Sequence, residues 1–342
     1  MVYINIVDSN NYICVNQFSS QMKSNFSLQN IPLNQSVELS TDLKEKVNEY
    51  GRLGLEGSVN TQRAYKGDLK DFNGWCEMNG QIPFPVSPET LSAYVSHLAD
   101  TCKWATINRR LATISKLHQL NNVETPTQNR IFRVVMEGIK RTKGIRQKQA
   151  PAFKLNILKQ LLRDFDIESN ANLRNKALLL LGFTGAFRRS ELVALNIQDL
   201  SFTDDGLIIS MQKSKTNQYG NYEEKAIFYS PEAGLCPIRT LQAWIGRLDK
   251  TFEPLFVRVR KGDRLTSNRL TDKTVNNLVK VYFGEEFSAH SLRASFITIA
   301  KINGADDSEI MRQSKHKTSA MIQRYTRIDD IKKYNAGMKL GL

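Results

Sequence analysis

The sequence is short of long apolar runs and of grouped metal-binding side chains. Its 342 residues include only four cysteines and four histidines, and the cysteines lie far apart with no CxxC pair. This spacing excludes a disulfide framework and an ordinary zinc site. No run reaches the ~18 apolar residues of a membrane span, and residues 1–18 lack the basic start and apolar middle of a secretory signal. We therefore predict a cytoplasmic protein that uses no metal and enters no membrane.

Positive charge is what the chain has in excess. It contains 48 lysine and arginine residues against 34 aspartate and glutamate residues, which gives a formal net charge of +14. Such a surface attracts a polyanion, so nucleic acid or an anionic membrane surface is the expected partner. Hydrophobic residues make up 41% of the chain and charged residues 24%, the composition of a protein with a buried core.

The length predicts two domains, because a single core seldom grows to this size. Apolar residues recur at helical spacing between residues 58 and 141, which predicts an all-helical first domain. The second domain has longer helical patterns and one pair of strands at about 207–211 and 225–229. The expected fold class is therefore mainly α, with a small β-sheet in the second domain. The expected boundaries are a polar, weakly ordered leader at 1–43, a helical domain at 44–145, a basic linker at 146–153, a second domain at 154–328 and a tail at 329–342.

Basic side chains are concentrated on the helices and the linker of the first domain. Each one alone is explained equally well by a solvated helix face and by a binding surface. Their number favours contact with a phosphate backbone. The residues expected to make this contact are Arg109, Arg110, Lys116, Arg130, Arg133, Arg141 and Lys143.

Two motifs in the second domain place cations where they could bind an anion. TGAFRRSELVALN holds Arg188 and Glu191 at the end of an apolar helix, and KSKTNQYGN holds Lys213 and Lys215 at the hairpin turn. Alone, the first motif is explained by an arginine that anchors a carboxylate. The second is explained by ordinary solvent-facing lysines.

Two further motifs bring histidines and a tyrosine. AHSLRASF spaces His290 and Arg293 by three residues, which puts both on one helix face where they could address one anion. KHKTSAMIQRYTR holds His316 and, nine residues later, Tyr325. Each motif alone could be explained by structural histidines and a tyrosine that packs in the core. The interpretation therefore depends on the order and spacing of the whole set.

Taken together, the four motifs resemble the tyrosine recombinases, also called the phage integrase family, with its Cre-like and Xer-like site-specific recombinases. The resemblance covers roughly residues 44–342, and the run SVNTQRAYKGDLKDFNGWC is similar to the opening helix of the family's core-binding domain. Two departures are Lys315, where a glycine commonly precedes the last histidine, and Phe187, where a leucine is usual. Neither departure removes a reactive group.

The resemblance implies which residues attack and neutralise the phosphate. Tyr325 matches the nucleophile of the family. Arg188 and Arg293 match its two arginines, whose forked N–H groups suit the non-bridging phosphate oxygens. Fixed cations are needed because the pentacoordinate transition state carries more negative charge than the diester.

The resemblance also implies the proton transfers. His290 would accept the proton of the tyrosine, and His316 would donate a hydrogen bond to the phosphate. Lys215, with Lys213 as the fallback, would give a proton to the departing 5′ oxygen. Glu191 would hold an active-site group in place without reacting.

The implied function is site-specific recombination of DNA through a 3′-phosphotyrosine, without ATP, metal or cofactor. The implied partner is double-stranded DNA with inverted-repeat sites, on which the protein would form a dimer per site and a tetramer in the synapse. The tail would dock into a neighbouring protomer, or pack on its own domain. Two alternatives use the same residues: a non-catalytic DNA-binding regulator of this fold, and a type IB topoisomerase, which relaxes DNA without choosing partners.

Overall fold

The structure, a computed structural model, describes residues 59–145, 149–211, 223–323 and 325, together with residues 42, 45, 46, 49 and 50. The chain divides into two compact units, with the division between Gln147 and Lys148. The hairpin lysines Lys213 and Lys215, the tail at 329–342 and nearly all of the leader lie outside the described residues. What was expected of them stays a prediction.

Helices make up the described part of the first unit. They are α1 (Val59–Met78), α2 (Pro88–Thr101), α3 (Trp104–Leu120) and α4 (Arg130–Lys143). The hydroxyl of Ser87 accepts the N–H of Thr90 at the start of α2, which satisfies a donor that the helix cannot pair internally. The core sits where Phe72 and Trp75 of α1 meet Tyr94 of α2. The expected all-helical character of this unit is confirmed.

The second unit is also mostly helical. Its helices are α5 (Leu155–Arg163), α6 (Asn170–Thr184), α7 (Arg189–Ala194), α8 (Pro237–Ile245), α9 (Asp272–Phe283), α10 (Ala289–Ile302) and α11 (Asp307–Ser314). Every residue of α6 from Leu173 to Gly182 is buried, because α8 and α10 both pack against it. In this central helix the apolar run that begins at Ala177 predicts the burial, whereas the burial of Arg174, Asn175 and Lys176 was not predicted.

Two small antiparallel sheets belong to this unit. The first is β1 (Leu200–Phe202), β2 (Gly206–Met211) and β3 (Glu223–Phe228), in that order, with Ile208 opposite Ala226. It contains the expected pair of strands. The second sheet, β4 (Val257–Arg260) and β5 (Arg264–Arg269), was not expected. β4 alternates valine and arginine over only four residues, and β5 contains a single apolar residue, Leu265, so the apolar pattern is too short to mark a pair of strands in the sequence.

The second sheet nevertheless helps to place the central helix. Asp263, in the turn between β4 and β5, accepts hydrogen bonds from the backbone N–H groups of Asn170 and Ala171 at 2.6 and 2.9 Å. A carboxylate at this end of α6 pairs otherwise unsatisfied donors and complements the helix dipole. The opposite end of α6 leads into the candidate site. None of the helices in the described ranges combines the length and apolar character needed to cross a bilayer.

Candidate active site

The site begins in the turn that follows α6. Ala186 has a φ of +46°, an unusual conformation for a residue with a side chain, and it turns the chain toward Arg188 at the start of α7. Glu191, in the first turn of α7, accepts the backbone N–H of Arg188 at 2.9 Å and also pairs with the guanidinium of Arg188. The carboxylate is almost fully buried, so it fixes both ends of the arginine.

Arg293 of α10 lies beneath the same turn and is 1% exposed. Its Nη1 donates to the carbonyl of Ala186 at 3.0 Å, and its Nη2 lies 3.3 and 3.4 Å from the two ring nitrogens of His316. Burial and the charge of Arg188 lower the pKa of Arg293 to about 10, which leaves it charged at neutral pH. Its buried Nε has no hydrogen-bond partner among the described residues.

His290 and Tyr325 are in direct contact. Nε2 of His290 lies 2.9 Å from the hydroxyl of Tyr325. One side of His290 is open to solvent, but surrounding protein, and then the charges of Arg293 and Arg188, lower its pKa below the usual 6.5. The imidazole is therefore neutral at physiological pH and can accept the tyrosine proton.

His316 follows α11 and is held by two contacts. The hydroxyl of Ser314 lies 2.7 Å from Nδ1 of the ring, while Arg293 lies against the ring as described above. Burial, followed by the charges of Arg293 and Arg188, lowers the pKa of His316 to about 3. When the Ser314 hydroxyl donates to Nδ1, the neutral ring carries its proton on Nε2, and Nε2 is then the nitrogen that can donate to a ligand.

The structure thus brings together six of the seven residues expected to act in catalysis. They are Arg188, Glu191, His290, Arg293, His316 and Tyr325, from three helices and the segments beside them. The seventh, Lys215, lies outside the described residues. Among the described residues there is no group of three or more His, Cys, Asp or Glu side chains able to hold a metal ion.

One buried cation beside the site was missed from the sequence. Lys225 of β3 is 1% exposed and donates to the carbonyls of Gly185 and Gln313 at 2.6 and 2.7 Å. The signal was present: in a strand, Lys225 shares a face with Ile227, and a lysine on a buried apolar face is unusual.

The residues of the first unit expected to contact DNA fall into two groups. Arg109 pairs with Asp68, and Arg110 pairs with Asp71 and lies 3.3 Å from the hydroxyl of Tyr94. These contacts give both arginines a role inside the helical unit. Those on α4 are exposed on its surface; they are Arg130, Arg133, Arg141 and Lys143. Contact with DNA stays a prediction for both groups and for Lys116.

This arrangement defines a class of site. A tyrosine hydroxyl lies within hydrogen-bond distance of a neutral imidazole. Two arginines and a second neutral histidine belong to the same site. Such a site is suited to hold a phosphate group and to activate the tyrosine toward it.

Comparison with known proteins agrees with this class. Residues 151–331 match the phage integrase family, and residues 53–122 match the N-terminal SAM-like domain of phage integrases. The integrase/recombinase xerD homolog of Selenomonas ruminantium is 36% identical over 98% of both chains. Recombinase cre of Escherichia phage P1 is 26% identical over 68% of this chain and 69% of its own.

A solved structure shares the fold at lower identity. The XerH site-specific recombinase, bound to a palindromic difH substrate in a post-cleavage complex, superimposes with a TM-score of 0.62 at 17% identity, over 94% of each chain. The chain belongs to the phage integrase family, and it is a tyrosine-type site-specific DNA recombinase.

Proposed function

We propose that this recombinase cleaves and rejoins DNA strands through a covalent 3′-phosphotyrosine at Tyr325, without ATP or a metal ion. The observation that carries the proposal is the 2.9 Å contact between the Tyr325 hydroxyl and Nε2 of His290. Because the pKa of His290 is lowered, the ring is free to take the proton. Tyrosine needs this help, since its unperturbed pKa is about 10.

The proposed reaction balances without a co-reactant. The Tyr325 oxygen attacks the phosphorus, and its proton passes to His290. The bond between phosphorus and the 5′ oxygen breaks, and Lys215, or Lys213 in its place, protonates the departing oxygen. Attack by a 5′-hydroxyl of another strand reverses these steps and frees the tyrosine. The phosphodiester bond energy is kept in the intermediate, so resealing requires no ATP.

The surrounding cations supply the electrostatic part of the mechanism. Arg188 and Arg293 bind the non-bridging oxygens, and His316 donates a hydrogen bond through Nε2. Glu191 keeps Arg188 in place. The Nε–H of Arg293 has no acceptor among the described residues, which supports a bound anion, because a buried donor without an acceptor is unfavourable until a ligand satisfies it.

Assembly follows from the need to join two duplexes. We expect inverted-repeat half-sites with one protomer on each, a dimer per site and a tetramer in the synapse. The palindromic substrate of the XerH complex supports the first part of this proposal. Exchange of the tail at 329–342 between protomers would link the active sites of such a ring.

Tyr325→Phe tests the proposal, because it removes one oxygen and little volume. The substrate is a nicked duplex carrying a site that the wild-type chain selects from randomised DNA. We expect unchanged DNA affinity and complete loss of the covalent protein–DNA adduct on a denaturing gel. Tyr334→Phe is the matched control and should still form the adduct. An adduct with Tyr325→Phe would assign the nucleophile to another residue.

A further inference from the structure

The end of α6 presents three successive backbone carbonyls to three different elements. Nε2 of Gln313 donates to Thr184 at 3.0 Å, Lys225 donates to Gly185 at 2.6 Å, and Arg293 donates to Ala186 at 3.0 Å. The last carbonyls of a helix have no partner within it and lie at the negative end of its dipole. Two cations and an amide therefore satisfy them from outside.

Lys225 makes the connection that spans the site. The same ammonium that binds Gly185 also donates to the carbonyl of Gln313 at 2.7 Å. Gly185 lies three residues before Arg188, and Gln313 lies three residues before His316. One side chain thus joins the two backbone segments that carry an arginine and a histidine of the site.

The surroundings of this ammonium fit a fixed cation. It lies 4.6 Å from the ring centroid of Phe187, so the aromatic face adds a favourable contact. Burial nevertheless lowers the pKa of Lys225 to about 7, although the carboxylate of Glu191 acts in the opposite direction. Burying a cation without a carboxylate in contact is costly, so the hydrogen bonds it makes must offset that cost.

We propose that Lys225 is a positioning residue for strand cleavage, which holds Arg188 and His316 at the spacing that the reacting phosphate requires. This proposal rests on the proposed function. Lys225 donates to the main chain at Gly185 and Gln313, and it is 1% exposed, so it does not itself reach the DNA. A small displacement of either segment would lower the cleavage rate strongly, since misplacement by about 1 Å can cost about 100-fold.

The test compares Lys225→Met with Lys176→Met. Both remove a buried ammonium and keep an unbranched apolar side chain, but Lys176 lies nine residues before Gly185, about 13 Å along α6. In single-turnover cleavage of the nicked duplex described above, Lys225→Met should be slower by about 10- to 100-fold at saturating DNA, with unchanged Kd. Lys176→Met should cleave at the wild-type rate.

A substrate with a 5′-bridging sulfur separates positioning from proton donation. Its leaving group needs no proton, so it should restore cleavage by Lys215→Ala but not by Lys225→Met. Restoration of Lys225→Met would make Lys225 the general acid and overturn the proposal. A wild-type rate for Lys225→Met would overturn it as well.

Folding is checked by thermal unfolding of each full-length variant. If Lys225→Met does not fold, Lys225→Gln keeps a neutral donor in the same place. A reduced rate with unchanged Kd would then support the proposal, and a wild-type rate would overturn it. If the wild-type chain itself forms no covalent adduct, the proposed function fails. If the wild-type chain and Lys225→Met form the adduct at the same rate, only the role of Lys225 is refuted.

Discussion

The cations of α4 in the first unit and those beside the site in the second unit are held in opposite ways. The basic side chains of α4 in the first unit are exposed to solvent, whereas Arg293 and Lys225 in the second unit are each 1% exposed and bound to backbone carbonyls. An exposed cation acts on any nearby phosphate through its field. A buried cation acts at one place and in one orientation. The difference implies that DNA affinity and DNA chemistry can be separated by mutation.

Arg293→Lys should give the largest effect, because it keeps the charge and removes the forked geometry. A lysine cannot reach the carbonyl of Ala186 and the site at once, so we expect cleavage at saturating DNA to fall by about 10²- to 10³-fold. DNA affinity should change little. Single-turnover cleavage and equilibrium binding measure the two quantities separately.

Arg141→Lys is the matched control on α4. Arg141 is exposed and 3.4 Å from Glu137, so a lysine there preserves the field that a phosphate feels. We expect wild-type affinity and rate. If Arg293→Lys kept the cleavage rate, or Arg141→Lys lost affinity, the contrast between oriented and unoriented cations would not hold.

The sequence predicted best what depends on local periodicity. The apolar stripe of Tyr65, Leu69, Phe72 and Trp75 predicts the buried face of α1. The last three are buried, and Tyr65 is partly buried against Leu69. The sheet β4–β5 escaped prediction because its strands are short and mostly polar and because some of their contacts are to residues distant in the chain. An example is Arg269, which donates to the carbonyls of Val193 and Leu195.

The candidate site was predicted from order and spacing, but its supporting contacts were not. The chain positions of Arg110 and of Asp71, 39 residues apart, do not indicate that helices α1 and α3 bring them together. The carbonyl groups that Lys225 binds are likewise defined only by the tertiary fold. The arginines of α3 therefore differ from those of α4 in their long-range ion pairs, and this difference is not visible in the local sequence.

Neutralising charge on α4 should have the next largest effect. Arg141→Gln with Lys143→Gln removes two cations expected to contact the DNA backbone. We expect affinity to fall on the order of tenfold for selected and random DNA alike, and the slope of log K against log salt to decrease by about 2. Cleavage at saturating DNA should be unchanged.

Arg163→Gln is the control for this prediction. Arg163 is also exposed, but it already donates to both carboxylate oxygens of Glu232 at 2.7 and 2.8 Å. Its loss should leave the salt dependence as in the wild type. Loss of binding to the selected site alone, in the α4 variant, would instead assign Arg141 and Lys143 to base recognition.

Acid pH should lower the folding stability of both units. It should lower the cleavage rate through the second unit alone. Burial lowers the pKa of His118 in the first unit, as it does for His290 in the second. Below about pH 6.5 the unfolded chain binds protons that the folded chain does not, so stability falls as the pH falls. The cleavage rate should also fall, with a midpoint below 6.5, as His290 becomes protonated and can no longer accept the tyrosine proton.

His118→Gln separates the effect of pH on stability from its effect on the cleavage rate. His118 belongs to the first unit and accepts the N–H of Val86 through Nε2 at 3.1 Å, whereas the reacting groups belong to the second unit. The variant should weaken the pH dependence of unfolding and leave the acid limb of the rate in place. A shift of that limb in His118→Gln would show that the limb reports folding of the first unit and not proton transfer in the site.

The smallest expected effect is a gain in stability from Lys315→Gly. Lys315 ends α11 with a φ of +55°, a left-handed conformation that glycine adopts without strain. Relief of a left-handed residue is worth about 1–2 kcal/mol, and the extra chain entropy of glycine costs about 0.5–1 kcal/mol, so we expect a net gain of about 0.5–1 kcal/mol in urea unfolding. Removal of a charge near Lys225 acts in the same direction. Asn122, which follows α3 with a φ of +52°, is the counterpart in the first unit. Asparagine tolerates this conformation, so Asn122→Gly should gain less. Equal gains, or a loss with Lys315→Gly, would mean that the Lys315 side chain stabilises the site it adjoins.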